Sequence, residues 1–284
     1  MSEKNYYSDT NGVPKDSNGR VTHVGVGLGD LANRILTVGS LSRAESLSSF
    51  LEDVQIIRSS RGFTSFSGKF QTVPVSIIAT GMGSAMMDFL VREARAVING
   101  PMAIVRLGTC GGIGIKPGVI VANTPGSYAI TRQPDAWMTT ESSSGSPYKS
   151  SRIALPNKLL AELVFSKLAS SPNQITVIEG LNASTDSFYS SQGRLDPCFD
   201  DRNENWSSEF LRQDTISVEM ESFHLLHLAN CAKPSAPIAA ATTAIVCADR
   251  TSGNVILAAD LPLLERSAGS AILQALVEFN LNSV

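Results

Sequence analysis

Residues 103–114 read AIVRLGTCGGIG, an apolar, partly β-branched run that carries Arg106 and then breaks into glycines. The same grammar recurs twice upstream, as TVGSLSR at 37–43 and ATGMGSAM at 79–86. Short apolar runs that end in glycine and alternate with longer amphipathic stretches are the pattern of an α/β protein. Working outward, strands are predicted at 34–38, 74–80, 103–107, 119–122, 174–179, 216–218 and 238–246, enough for one sheet. Helices follow from spacing. Met86, Phe89, Leu90, Ala94, Val97 and Ile98 recur at three and four residues, as do Leu160, Leu163, Val164 and Leu168, and a last helix is predicted at 261–280. No internal repeat and no Pro/Gly linker divides the chain, so one domain is predicted over 21–284, after a flexible arm at 1–20. Two polar stretches read as loops: ESSSGSPYKSS at 141–151, and YSSQGRLDPCFDDRNENWSS at 189–208, which has the length of a lid or binding loop.

Composition narrows the function classes. With 284 residues, 43% of them hydrophobic and 17% charged, the chain can bury a large core, and global disorder is excluded. The balance of 23 Lys and Arg against 26 Asp and Glu gives a net charge of -3, so no nucleic-acid partner is expected. The longest apolar run, 237–248, falls short of the roughly 18 residues needed to cross a bilayer, and no membrane partner is expected. The polar first residues lack the apolar core of a signal peptide, which makes a cytoplasmic location the expectation. The four cysteines, at 110, 198, 231 and 247, and the three histidines, at 23, 224 and 227, form neither a disulfide framework nor a zinc set. Glu221, His224 and His227 have Glu-x-x-His spacing but lack the second pair that a di-metal site requires, so no metal is expected. Gly25, Gly27 and Gly29 miss the spacing of a dinucleotide fingerprint.

What remains points to an anion and a nucleoside. Glycine after a strand lets backbone amides approach an anion, and the next helix N-terminus favours negative charge. Arg43 and Arg106 sit in two of the three junctions. Two guanidinium forks at neighbouring strand ends would make an oxyanion cradle; the plainer alternative is that the glycines close turns and the arginines pair with surface acids. SVEMES at 217–222 places Glu219 and Glu221 around Met220. If both were helical their side chains would diverge by about 200°, so one of them is expected to act. A carboxylate there can accept two vicinal ribose hydroxyls beside a methionine wall, unless the pair merely serves a helix N-terminus. In STDSFYSSQGR at 184–194, Gln192 offers a donor and an acceptor that match N3–H and a carbonyl of uracil, Arg194 can hold the second carbonyl, and Phe188 can stack on the ring.

TVGSLSR, RLGTCGG, DSFYSSQGR and VEMES, in their order along the chain, resemble the nucleoside phosphorylase superfamily and, within it, the uridine phosphorylases, over about 21–280. The Gln192 and Arg194 pair separates these from purine relatives. The resemblance implies a central mixed twisted β-sheet, partly barrel-like, flanked by helices. It also implies reversible phosphorolysis of uridine to uracil and ribose 1-phosphate in pyrimidine salvage, with phosphate as co-substrate and no cofactor. On it, Gly39, Arg43, Arg106 and Thr109 hold phosphate, joined by Arg61 (in RSSRGF) from a neighbouring subunit. Met220, Glu221 and Thr109 hold the ribose, with His23 (in VTHVG) reaching across the same interface. Phe188, Gln192 and Arg194 hold the base, and Arg250 (in CADRTSG) supports Arg194. Arg106, Glu221 and Arg194 are the expected catalytic groups, in a homodimer with shared sites or a higher oligomer.

The sequence departs from that family in places. Leu41 stands where a proline is usual, Cys110 where threonine is common, and Cys247 and Ala248 where bulky aliphatics cover the base, which implies a roomier pocket. Asp249, near the position where purine members keep a proton-receiving aspartate, is expected to partner Arg250. The alternatives are a purine nucleoside phosphorylase or a nucleosidase of the same fold, the latter without phosphate arginines, and a catalytically silent nucleoside-binding protein.

Overall fold

The computed structural model describes residues 11–138, 146–172 and 175–284. In chain order its strands are β1 (Arg34–Val38), β2 (Glu52–Arg58), β3 (Thr64–Phe70), β4 (Val73–Ala79), β5 (Met102–Gly112), β6 (Ile120–Ala122), β7 (Ser127–Arg132), β8 (Tyr148–Ser150), β9 (Val177–Glu179), β10 (Leu181–Thr185), β11 (Thr215–Glu219) and β12 (Ile238–Asp249). The helices are α1 (Leu41–Ser48), α2 (Ser84–Val97), α3 (Lys158–Ala169), α4 (Trp206–Glu209), α5 (Ser222–Asn230) and α6 (Asp260–Glu278). All these strands join one mixed sheet in the order β2-β3-β4-β1-β5-β11-β10-β7-β8, with β12 paired to β5 and β6, and β9 to β6. No pairing among the described residues joins its ends, so the sheet is branched and open rather than a closed barrel.

Alternation sorts the central strands into two cores. Leu36 and Val38 of β1, with Val105 and Leu107 of β5, pack with Leu47 of α1, Leu160 of α3 and Ile272 of α6. Ile35 and Ile104 pack on the opposite side with Leu90 of α2 and Leu225 of α5. Burial on both faces is why 34–38 and 103–107 read as continuous apolar runs.

The third glycine junction is corrected by the structure. The ladder does not stop at Leu107: β5 runs on through Gly112, no helix follows directly, and Gly111 and Gly112 pair antiparallel with β11. Glycine is needed there because a Cβ on Gly112 would lie 2.8 Å from the Ile115 carbonyl oxygen, and one on Gly111 would lie 3.0 Å from Arg250 Cγ. The other two junctions are strand-to-helix turns, β1 to α1 and β4 to α2.

The sequence pattern does not reveal β2, β3, β7, β8, β10, α1 or the short α4, which falls at the end of the stretch read as a loop at 189–208. In α1 the residues LSRAESLS bury only Arg43, Ala44 and Leu47, and the start is set by the Ser40 side chain, which accepts the Arg43 N–H. β8 lies within the loop predicted at 141–151, whose residues 141–145 lie outside the described residues, as does residue 174 of the strand predicted at 174–179. Residues 1–10 of the predicted arm also lie outside them, whereas Lys15 Nζ donates to the Ala96 carbonyl and Arg20 pairs with Asp30. No helix among the described residues is long and apolar enough to cross a membrane.

Candidate active site

Residues just after β1 and β4 and near the ends of β5, β11 and β12 line one cavity of about 460 Å³, to which Phe188, Gln192 and Arg194 also contribute. It gathers Gly39, Arg43, Arg106, Thr109, Phe188, Gln192, Arg194, Met220, Glu221 and Arg250, which is every predicted site residue except His23 and Arg61.

Two carboxylates frame one end. Glu219, the last residue of β11, is saturated: it accepts from Asn182 Nδ2, Ser184 Oγ and the backbone N–H groups of Glu221 and Ser222. It therefore serves the start of α5, while Glu221, the N-cap residue of that helix, reaches into the cavity. The helix-terminus reading of the SVEMES pair fits Glu219, and Glu221 is the carboxylate left lining the cavity. Glu221 Oε1 accepts the Gly83 N–H at 2.5 Å and Oε2 accepts from Arg106 Nη2 at 2.5 Å. Burial pushes the Glu221 carboxyl above the usual carboxylate range, against the opposing pull of Arg106. Arg106 is only 3% exposed, yet among the described residues its Nε and Nη1 have no hydrogen-bond partner, Nε lying 3.7 Å from Glu219 Oε2. Buried guanidinium donors are normally satisfied, and two left open at a cavity wall suit an anion that would take them. Arg43 lies beside them, buried, with Nη1 donating to the Leu107 carbonyl at 3.1 Å and Nε to Glu265 at 2.7 Å.

At the other end Gln192 is buried, its Nε2 donating to Thr185 Oγ1 at 3.0 Å and its Oε1 accepting from Arg194 Nη1 at 3.3 Å. Arg250 Nη2 donates to the Gln192 carbonyl at 2.9 Å, and its Nη1 has no hydrogen-bond partner among the described residues. Burial lowers the pKa of both Arg194 and Arg250, and the charge of Arg250 adds to the effect on Arg194. The Arg194 guanidinium sits 3.9 Å over the Phe188 ring, so only the uncovered face of that ring is open for stacking. The loop is no loose flap here: Asn203 Nδ2 donates to the carbonyls of Ser190 and Arg194, and Trp206 packs so close to Gly193 that a Cβ there would lie 2.7 Å from Trp206 Cβ.

Three expectations change or gain detail. Asp249 does not pair with Arg250; its carboxylate accepts from Gly114 N–H, Thr251 N–H and Ser252 Oγ, which hold its pKa down and turn it into the loop that follows β12. Cys110 and Cys247 line the cavity, and burial pushes both thiols up, so they remain neutral walls rather than nucleophiles. His224 approaches Asp88 on α2 at 3.5 Å, away from Glu221, and no cluster of three or more potential metal ligands occurs among the described residues.

His23 and Arg61 lie together but outside this cavity. Ser59 Oγ donates to the His23 carbonyl and accepts the Arg61 N–H, and Arg61, exposed, lines a separate depression with Arg58 and Arg20. The His23 ring stacks on Phe89 at 3.9 Å with Nδ1 against Glu93 Oε1 at 2.6 Å. The sequence does not reveal the contacts of Glu93, Glu265 and the Gly83 amide, because each meets a predicted residue far away in sequence; Glu93 and Glu265 belong to no local motif, and Gly83, although part of ATGMGSAM, gives no sign there of its partner Glu221.

Residues 33–269 match the family described as the phosphorylase superfamily. The chain is 26% identical over 220 residues to the uridine phosphorylase of Thermococcus kodakarensis, spanning 76% of this chain and 74% of that one. A structure from work on two diverse uridine phosphorylases of the oomycete Phytophthora capsici is 41% identical with a TM-score of 0.90, covering 96% of this chain and 99% of that one. The Trypanosoma brucei nucleoside phosphorylase, reported with uridine phosphorylase activity, shares the fold at 18% identity and a TM-score of 0.75, over 94% and 100% of the two chains. A purine nucleoside phosphorylase of DeoD type from Exiguobacterium matches over 92 residues only, at 35% identity, or 32% of this chain and 38% of that one.

Proposed function

The chain belongs to the phosphorylase superfamily, and we propose that its cavity catalyses the reversible phosphorolysis of uridine to uracil and ribose 1-phosphate. One observation carries this: the cavity has a guanidinium with open N–H groups at one end, and at the other the Gln192, Arg194 and Arg250 cluster, in which neither arginine is ion-paired among the described residues. Phosphate takes the open donors of Arg106 and the remaining ones of Arg43, below the sugar. Glu221, already beside Arg106, accepts the ribose hydroxyls against Met220, and Thr109 lies between sugar and phosphate. A phosphate oxygen forms the bond to C1′ as the C1′–N1 bond breaks, and the electron pair leaves on the base. Positive charge on the sugar is met by the phosphate and Glu221, and negative charge on uracil by Arg194 and Gln192 with Arg250 behind them. The uracil anion then takes its proton from solvent.

The rival chemistries fit less well. Purine phosphorolysis wants an acid at the base, but Asp249 is consumed by its own loop. A nucleosidase needs a carboxylate free to activate water, and Glu221 is held by Arg106 and Gly83. Uracil release from uridine, compared with thymidine and inosine, tests the assignment. The expected result is turnover of uridine only with phosphate; phosphate-independent release, or preferred turnover of inosine, overturns it, and no turnover leaves a silent binding protein.

We further propose a cytoplasmic homodimer in which His23 and Arg61 complete the partner's site. Their joint placement outside the chain's own cavity supports this, as does Glu93 fixing the imidazole at the surface. Mixing inactive His23→Ala/Arg61→Ala chains with inactive Glu221→Ala chains is expected to restore up to about a quarter of wild-type activity per chain. Random pairing makes half the dimers mixed, and each mixed dimer has one intact site. Demonstrated subunit exchange without recovered activity refutes the shared site.

A further inference from the structure

Building on the cavity as a phosphate-using site, we propose that Glu265 of α6 is the positioning residue of its anion end, holding Arg43 so that the guanidinium presents its remaining N–H groups to the ligand. Glu265 Oε1 takes both Nε, at 2.7 Å, and Nη2, at 2.6 Å, of Arg43, while Nη1 reaches the Leu107 carbonyl at 3.1 Å. Of the five guanidinium N–H groups, the hydrogen bonds use one on Nε and one on Nη1, and Nη2 makes an ion-pair contact with Glu265, leaving N–H groups on both terminal nitrogens for a ligand. Arg43 itself is buried and lines the cavity. Its own helix aims it weakly, since α1 is short and buries only Ala44 and Leu47 besides it.

The aim comes from α6. Gly269 docks so closely on α1 that a Cβ there would lie 2.2 Å from Leu47 Cδ2. Glu265 and Gly269 are four residues apart on one helix face, as are Arg43 and Leu47 on the other, so the Gly269–Leu47 approach sets Glu265 against Arg43. Arg266 fastens the far end of α1 by donating to the Ser46 carbonyl and Ser49 Oγ. The opposite expectation, that a carboxylate beside Arg43 merely cancels its charge and repels phosphate, predicts the opposite sign on substitution.

Glu265→Ala is expected to raise the KM for phosphate about tenfold or more, with the KM for uridine within about twofold. Glu265→Gln, which keeps an acceptor oxygen, is expected to restore most of the loss. In an Arg43→Ala background, adding Glu265→Ala is expected to change nothing further, because the residue acts through Arg43. Titration calorimetry with inorganic phosphate alone repeats the same four-variant cycle, so the role of Glu265 is decided even if uridine proves not to be the nucleoside. An unchanged or tighter phosphate affinity in Glu265→Ala, equal rises in both KM values, or full additivity with Arg43→Ala overturns the proposal.

Discussion

Arg106→Ala is expected to lower kcat/KM for phosphate by about a thousandfold or more, the largest loss of any single substitution in the cavity. Arg106 supplies Nε and Nη1, buried nitrogens with no hydrogen-bond partner among the described residues, although Nε lies 3.7 Å from Glu219 Oε2, and the neighbouring Arg43 is itself held by Glu265 and Leu107. The loss extends beyond phosphate. Arg106 is the group that pulls the Glu221 carboxyl down against desolvation, so its removal drives that carboxyl further up, and the acid limb of any residual activity moves to higher pH. Removing one partner of a buried ion pair costs about 3–5 kcal/mol of stability, so kinetics are compared at a temperature where both proteins are shown to be folded. Arg106→Lys, which keeps a charge but not the planar fork, is expected to fall between the two. A folded Arg106→Ala within about tenfold of wild type removes this arginine from the reaction.

Legibility in the sequence followed burial and locality. The strands buried on both faces, β1, β5 and β12, and the periodic helices α2, α3 and α6 stand out because hydrophobic pattern alone decides them. β10 was hidden although all five of its residues are buried, because Asn182, Ser184 and Thr185 make their contacts by hydrogen bonding to Ser127, Glu219 and the backbone of β11 rather than by apolar packing. β2 was hidden for the opposite reason: it is largely exposed, with Val54 and Ile56 open to solvent and only Ile57 packing on a core. In the site, residues carried by short local motifs, such as Gln192 with Arg194 and Glu221 with Met220, could be named in advance, and they do meet in one cavity. Residues whose part is to hold those groups could not be. Glu265 is 222 residues from Arg43, Glu93 is 70 from His23, and Gly83 is 138 from Glu221. Only the packing of α6 on α1 and of α2 beneath His23 brings such pairs together. The misplaced Asp249 has the same origin, since adjacency to Arg250 in sequence does not reveal that β12 ends there and turns its carboxylate into the following loop.

Gln192→Leu is expected to reduce kcat/KM for uridine by roughly a hundredfold or more while leaving direct phosphate binding within about twofold. Leucine nearly matches the volume but has neither donor nor acceptor, so a bound uracil would lose its partner for N3–H and a carbonyl at a buried residue. The protein loses as well: Thr185 Oγ1 loses the Gln192 Nε2 donor, and Arg194 Nη1 loses the oxygen that now holds it 3.3 Å from Gln192. Arg194 would then be steered only by its stacking on Phe188. Arg250 keeps its bond to the Gln192 carbonyl, which belongs to the backbone and survives the substitution, so the loop should not collapse. Because the amide reads a ring edge that uracil and thymine share, uridine and thymidine turnover should fall together and their ratio should hold. That distinguishes loss of base recognition from a change in pocket size at Cys247 and Ala248, which would move the ratio. A Gln192→Leu enzyme within about threefold of wild type on uridine, or a phosphate affinity that falls in step with kcat/KM, places base recognition elsewhere in the cavity.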